Sequence, residues 1–119
     1  PAEGNFLLTA ADAVELAEMI ASPRCRLHLD CKAMSTETDP IPTIIRRRAP
    51  WMVHFHANDP NRRGPGFGEL DFVPIFEALG EVDYKGWVSV EVFDYEPGVE
   101  RLARESIEYM LKCLDQVAG

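Results

Sequence analysis

Apolar and polar residues follow two different periods along the chain, and the two periods alternate. Helical spacing, in which apolar side chains three or four apart share one face, covers about 10–21, 42–48, 71–80 and 99–117. Strict alternation, in which every second side chain faces the same way, covers 25–30, 51–56 and 86–91. We therefore predict an α/β fold in which three parallel strands alternate with four helices.

Local signals place the ends of several elements. Thr9 and Asp12 have the spacing of a capping box, which predicts the start of the first helix. The stretch 57–68 is rich in Gly, Pro, Asn and Arg and predicts a long loop, a kind of segment that often carries function. One apolar face continues through the last helix, formed by Val99, Leu102, Ala103, Ile107, Met110, Leu111, Leu114 and Val117.

Length, charge and cysteine content narrow the class of protein. The 119 residues suit one domain but fall short of the roughly 250 that a complete eight-stranded α/β barrel needs. The net charge of −8 disfavours nucleic-acid binding, and we expect no membrane insertion because no segment is sufficiently long and apolar. Cys25, Cys31 and Cys113 lack metal-site spacing and indicate reduced thiols in a cytoplasmic protein.

Each predicted strand ends in a side chain of a type that binds metals: Asp30, His56 and Glu91. The same face carries a second row two residues earlier, formed by His28, His54 and Ser89. The opposite, helix-facing side is formed by Leu27, Leu29, Val53, Phe55, Val88 and Val90. Two carboxylates and an imidazole at one rim suit a divalent ion such as Mn, Mg, Co or Zn. Each of the three alone could instead cap a helix or form a hydrogen bond in the core.

Three motifs carry a resemblance to a known family. They are Leu29-Asp30, the run His54-Phe55-His56 followed by Arg62 and Pro65-Gly66-Phe67-Gly68, and Val90-Glu91. Over essentially the whole chain they resemble the xylose-isomerase-like barrel superfamily, particularly its D-tagatose 3-epimerase, D-psicose epimerase and hydroxypyruvate isomerase branch. The resemblance implies that residues 1–119 are the C-terminal portion of a (β/α)8 TIM barrel.

The resemblance also implies roles for single residues. Asp30, His56 and Glu91 would be metal ligands, and Glu91 would also be a catalytic acid/base group. Arg62 would bind substrate oxygens, and His54, on the same face as the ligands, is assigned to the substrate as well. The implied reaction is metal-dependent isomerisation or epimerisation of a sugar or hydroxy-keto acid through an enediolate.

Two departures from the family pattern affect this expectation. Ala33 stands where the family usually has a substrate-binding His, which indicates a different substrate or binding mode. The family's second catalytic Glu is expected immediately before Pro1, outside the chain, so we expect the fragment itself to be inactive. Three parallel strands cannot close a barrel, and we expect self-association through the exposed strand edges. Arg63 is expected to be solvated.

Two other functions remain open on sequence grounds. His56-Ala57-Asn58-Asp59 is weakly similar to abasic-site endonucleases of the type-IV apurinic class, which use three zinc ions. The Asp-x-His that should follow is missing, and the acidic charge disfavours DNA. A barrel domain that serves binding or assembly without catalysis is the other alternative, and Ala33 is the observation that favours it.

Overall fold

The computed structural model describes residues 4–119, in which helices cover one face of a three-stranded parallel sheet. The helices are α1 (Ala10–Ile20), α2 (Cys31–Met34), α3 (Ile41–Arg48), α4 (Val73–Glu81) and α5 (Val99–Ala118), with a 3-10 turn at Ala49–Trp51. The strands are β1 (Leu27–Asp30), β2 (Met52–His56) and β3 (Val88–Ser89). The expectation that concerns the position before Pro1 lies outside the described residues.

The sheet brings the C-terminal ends of its strands to one edge. The strand order is β1-β2-β3, and both neighbouring pairs are parallel. Asp30 pairs with His56 across the first ladder, and His56 pairs with Ser89 across the second. The predicted α/β class with parallel strands is confirmed, and the aligned ends form a common rim.

The structure adds one short helix to the four that the sequence predicted. Helix α2 begins directly after β1, because the Asp30 side chain accepts hydrogen bonds from the amides of Lys32 (2.8 Å) and Ala33 (3.2 Å). Four residues are too few for a recognisable hydrophobic period, so this turn left no signal in the sequence. The first helix does begin at the predicted capping box, with reciprocal bonds between Thr9 and Asp12.

One side-chain direction was predicted wrongly, and a β-bulge is the reason. Leu27 pairs with Met52, but His28 pairs with His54, so β2 contains one extra residue at this point. That residue, Val53, is 58% exposed, and Met52 takes its expected place in the core. Beyond the bulge the predicted alternation holds.

The predicted bounds were too long for all three strands, and β1 begins at Leu27 rather than at residue 25. Trp51 lies in the 3-10 turn rather than in β2, and β3 is limited to Val88–Ser89. The backbone continues alongside β2 all the same, because the Ala57 amide donates to the Ser89 carbonyl at 2.8 Å. The third strand therefore reaches the rim although its regular ladder is short.

The core lies between the sheet and the helices. Leu27, Leu29 and Phe55 point from the strands into it, and all three are buried. They belong to one cluster with buried side chains from the helices, including Val14, Ile41, Ile44, Ile45, Ile75, Phe76 and Leu79. Burial of these faces fixes which strand residues turn away from the helices, and so fixes which side chains reach the opposite face.

Helix α5 buries only part of its apolar face. Leu102 and Cys113 are buried, whereas Ile107 is 54% exposed and Leu111 is 55% exposed. The exposed stripe lines an apolar groove of about 540 Å³ between α5, α4 and the outer side of β3. Although α5 is the longest helix described, no helix in residues 4–119 combines the length and apolar character needed to cross a membrane.

Candidate metal centre and active site

The three predicted metal ligands meet at the rim of the sheet. The Nδ1 atom of His56 lies 3.4 Å from Oδ2 of Asp30 and 3.6 Å from Oε2 of Glu91. Asp30 ends β1, His56 ends β2, and Glu91 follows β3, so each strand contributes one of the three groups. The structure thus brings these residues together at the carboxyl edge, where active sites of parallel α/β folds lie.

The His56 nitrogen at the centre of this group is buried and has no hydrogen-bond partner. A buried polar atom without a partner is costly, so its position between two carboxylates calls for a physical reason. Ligand bonds of about 2.0–2.2 Å place two ligands of one ion about 3.0–3.5 Å apart at the usual coordination angles. These two spacings are close to that range, so His56 can share a divalent ion with Asp30 or with Glu91.

Two further histidines lie next to the three candidate ligands. One potential ligand atom from each of His28, Asp30 and His56 lies within 4.8 Å of the others, so His28, and not Glu91, is the third member of this tighter group. Partial burial and the neighbouring imidazole of His56 lower the pKa of His28 below its usual value. His54 lies one pleat below the rim, where its Nε2 forms a hydrogen bond with Ser89 Oγ at 3.0 Å. The assignment of His54 to the substrate stays a prediction.

Arg62 lies at the edge of a cavity that opens beside the three candidate ligands. This cavity of about 520 Å³ is lined by Gly4, Asp30, Lys32, Ala33, Arg62, Glu91 and Phe93. Arg62 has a φ of 73°, an uncommon conformation for a residue with a Cβ. Its carbonyl accepts hydrogen bonds from the amides of Phe93 (2.9 Å) and Asp94 (3.1 Å). The loop after β2 is therefore attached to the segment after β3, and Arg62 is held over the cavity.

Arg63, which was expected to be solvated, is partly exposed and also forms an ion pair. Its Nε donates to Oδ2 of Asp94 at 2.9 Å, and both side chains are about one-third exposed. The Glu96 amide and the Arg63 guanidinium hold the pKa of Asp94 below its usual value. This ion pair is a second link between the two loops, and the sequence pattern gave no signal for it.

The long loop after β2 is ordered by a buried carboxylate that sequence reasoning missed. Asp59 is 2% exposed, and its side chain accepts hydrogen bonds from the amides of Asn61 (3.0 Å) and Leu70 (3.4 Å). Asn58 beside it is 1% exposed and bonds to Asp30 and to the amide of Glu91. In the sequence both residues stood out only in the weak endonuclease-like motif at 56–59, which gave no sign that they order the loop.

The cysteines take no part in this site. All three are unpaired, and Cys31 and Cys113 are buried. Burial raises the pKa of the Cys31 thiol far above its usual value, with Asp30 adding to the effect. A thiol in that state is a poor nucleophile and a poor metal ligand at neutral pH.

Comparison with known proteins identifies related chains. A profile of the xylose isomerase-like TIM barrel family matches residues 1–113. D-psicose 3-epimerase of Agrobacterium fabrum is 34% identical over 91 residues, which are 76% of this chain and 32% of that protein. The solved structure of an L-ribulose 3-epimerase matches 97% of this chain and 44% of its own, with a TM-score of 0.84 and 26% identity. For 3-keto-D-glucoside 4-epimerase from E. coli the TM-score is also 0.84, at 26% identity, over 92% of this chain and 42% of that one.

These matches confirm the resemblance that the motifs carried. The chain spans about a third of the length of the curated relatives it matches. The neighbours are barrel enzymes, and the described residues correspond to part of such a barrel.

The conformation of the loop yields a test of its packing. Gly66 has a φ of +87°, and a Cβ added there would lie 2.7 Å from Tyr109 on α5. We expect Gly66→Ala to lower the free energy of unfolding by about 1–2 kcal/mol, because an L side chain in the left-handed region is strained. Urea denaturation followed by circular dichroism measures the change.

Gly80→Ala is the matched control for this substitution. Gly80 lies in α4 at a negative φ, and a Cβ there meets no atom within 4 Å. Alanine should therefore be neutral or stabilise the helix by up to about 1 kcal/mol. Equal effects of the two substitutions would contradict the described packing of the loop on α5.

Proposed function

The chain belongs to the xylose isomerase-like TIM barrel family, and from this membership and the rim geometry we propose that it is part of a metal-dependent isomerase or epimerase. The substrate class is a sugar or a hydroxy-keto acid, and the reaction moves a proton by way of an enediolate. The observation that carries the proposal is the buried His56 Nδ1, which has no hydrogen-bond partner and lies between the carboxylates of Asp30 and Glu91. The similar epimerases support the same reaction class.

In this proposal Asp30, His56 and Glu91 hold a divalent ion, with His28 near enough to contribute. Two carboxylates and an imidazole accept Mn, Mg, Co or Zn, so the donor set does not distinguish these metals. When bound, such an ion supplies positive charge next to neighbouring substrate oxygens, which lowers the free energy of an enediolate. Asp30 and His56 are largely shielded from water by the protein, which strengthens their interaction with a cation.

Glu91 is the proposed acid/base group on one side of the substrate. Its side chain is 56% exposed and borders the cavity, so it can reach a substrate carbon as well as the ion. Epimerisation takes a proton from one face of a carbon and returns one to the other face, which requires a second acid/base group. We assign that group to a part of the longer protein, and we propose that residues 1–119 alone are inactive.

Arg62 and His54 are the proposed substrate contacts. Arg62 borders the cavity and its backbone is fixed by two hydrogen bonds, so its guanidinium can donate to substrate oxygens at little cost in ordering. His54 faces the same side of the sheet but lies deeper, bonded to Ser89. Ala33 leaves room where the family usually places a His, and this room would admit a substrate of different shape.

We place residues 1–119 in the C-terminal portion of the barrel. The order of the motifs along the chain supports this placement, and the half-covered α5 supports a partner on that side. As a separate polypeptide the chain would self-associate through its open strand edges and the apolar groove beside α5. Contact would pair the free backbone N–H and C=O groups of the edges and would bury the apolar side chains of the groove. The acidic charge gives no support to a nucleic-acid partner.

The function is tested in the longer protein that contains this chain. After removal of metal with EDTA, the rate of C3 proton exchange of a ketose in D2O should fall by at least about 100-fold, and Mn²⁺ should restore it. His56→Ala should abolish the Mn²⁺-dependent rate, whereas Asp83→Asn, a change in an exposed carboxylate remote from the rim, should leave it unchanged.

Other outcomes of that experiment separate the alternatives. Full exchange by the His56→Ala variant would refute the ligand assignment. Three bound zinc ions with cleavage of abasic DNA would instead indicate an endonuclease, and a protein that binds no metal would indicate a non-catalytic barrel.

Self-association has its own measurement. Size-exclusion chromatography with light scattering at micromolar concentration should give at least the mass of two chains for residues 1–119. Leu111→Lys should shift the mass towards one chain because Leu111 is exposed in the groove. Met19→Lys, at an exposed apolar position on α1, is the control and should change nothing. A wild-type monomer would contradict the proposal.

A further inference from the structure

Asn58 connects two of the three proposed metal ligands. It follows β2 by two residues, and its side chain is buried between the end of β1 and the segment after β3. Its Nδ2 donates to Oδ2 of Asp30 at 2.7 Å, and its Oδ1 accepts from the backbone amide of Glu91 at 2.7 Å. One amide side chain therefore joins the carboxylate of Asp30 to the backbone of Glu91.

The two partners determine how the Asn58 amide is oriented. A backbone N–H can only donate, so the Glu91 amide must face the oxygen of Asn58. An ionised carboxylate can only accept, so Asp30 must face the nitrogen. Aspartate has no donor for Asp30, and an apolar side chain satisfies neither partner, so asparagine is matched to this position.

The bond from Asn58 also determines how Asp30 can bind a cation. A carboxylate has about four acceptor directions. The Oδ1 atom accepts from the amides of Lys32 and Ala33, and Oδ2 accepts from Asn58. The remaining direction belongs to Oδ2, the oxygen that lies 3.4 Å from His56 Nδ1. The network thus leaves Asp30 one site for a ligand and places that site beside His56.

We propose that Asn58 is a positioning residue for the metal centre: it aims Oδ2 of Asp30 at the ion and anchors the backbone of Glu91 beside it. This inference rests on the proposed function for the metal itself, but the hydrogen bonds that carry it exist without metal. Outer partners of metal ligands typically change metal affinity by about 10–100-fold when removed. Asn58 forms hydrogen bonds with two proposed ligands that follow different strands. Its removal should therefore make the positions of both less well fixed.

The first experiment needs no metal. Amide hydrogen exchange of residues 1–119, followed by NMR, should show a protected Glu91 amide in the wild type. In Asn58→Ala this amide should exchange at least about tenfold faster, because its buried acceptor is gone. Asn58→Asp keeps an acceptor oxygen and should keep the protection. A Glu91 amide that exchanges equally fast in the wild type and in Asn58→Ala would overturn the proposal.

The second experiment measures Mn²⁺ affinity by isothermal titration calorimetry on the same proteins. Asn58→Ala should weaken binding by about 10–100-fold relative to the wild type. Asn61→Ala is the matched control, since Asn61 lies in the same loop and makes two hydrogen bonds, to the Phe67 carbonyl and the Arg63 amide, but contacts no ligand. Its affinity for Mn²⁺ should stay within about twofold of the wild type, as expected for a residue outside the network around the ligands.

The outcomes separate this inference from the function. Equal Mn²⁺ affinity of wild type and Asn58→Ala, or equal losses in Asn58→Ala and Asn61→Ala, would overturn the positioning role. A wild type that binds no Mn²⁺ would overturn the proposed metal centre, and the exchange of the Glu91 amide would then decide alone whether Asn58 anchors that segment.

Discussion

The parallel register of three strand ends is the constraint on which the rest of the structure depends. Asp30, His56 and Ser89 occupy matching positions in two successive ladders, and Glu91 lies two residues beyond Ser89. Because burial of Leu29 and Phe55 fixes the opposite face of the strands, the polar side chains at the rim cannot turn towards the helices. A shift of one residue in either ladder would separate the carboxylates from the imidazole.

The loops beyond the rim convert this alignment into a site with defined geometry. The segment after β2 is attached to the segment after β3 at several positions, through the Arg62 carbonyl, the Arg63–Asp94 pair and the Asn58 side chain. Buried or partly buried polar groups of this kind are stable only when their hydrogen-bond or ion-pair partners are present. Each loop therefore depends on the other for its conformation. The carboxyl edge of the sheet is therefore an ordered polar layer above an apolar core.

Much of this arrangement was predictable because it follows from periodicity. The alternation of β1 and β2 placed Asp30 and His56 on one face, and the matching ends of parallel strands placed them at one height. Asn58 could not be predicted in the same way, because its role depends on contacts with residues about 30 positions away on both sides. The predicted direction of the Val53 side chain was wrong for a related reason, since a β-bulge changes the direction of a side chain without changing the apolar pattern. The exposed stripe of α5 shows a third kind of failure: an amphipathic pattern shows that a face is apolar, not what covers it.

Asp30, His56 and Glu91 are proposed to hold one divalent ion. This proposal is tested most directly by X-ray diffraction from crystals of this chain grown with Mn²⁺, recorded at a wavelength where manganese scatters anomalously. We expect one anomalous peak about 2.2 Å from Asp30 Oδ2, His56 Nδ1 and Glu91 Oε2. The proposal would be contradicted by crystals in which Mn²⁺ is fully bound at other sites but gives no peak at the rim. A peak at the rim that is not within bonding distance of His56 would also contradict it.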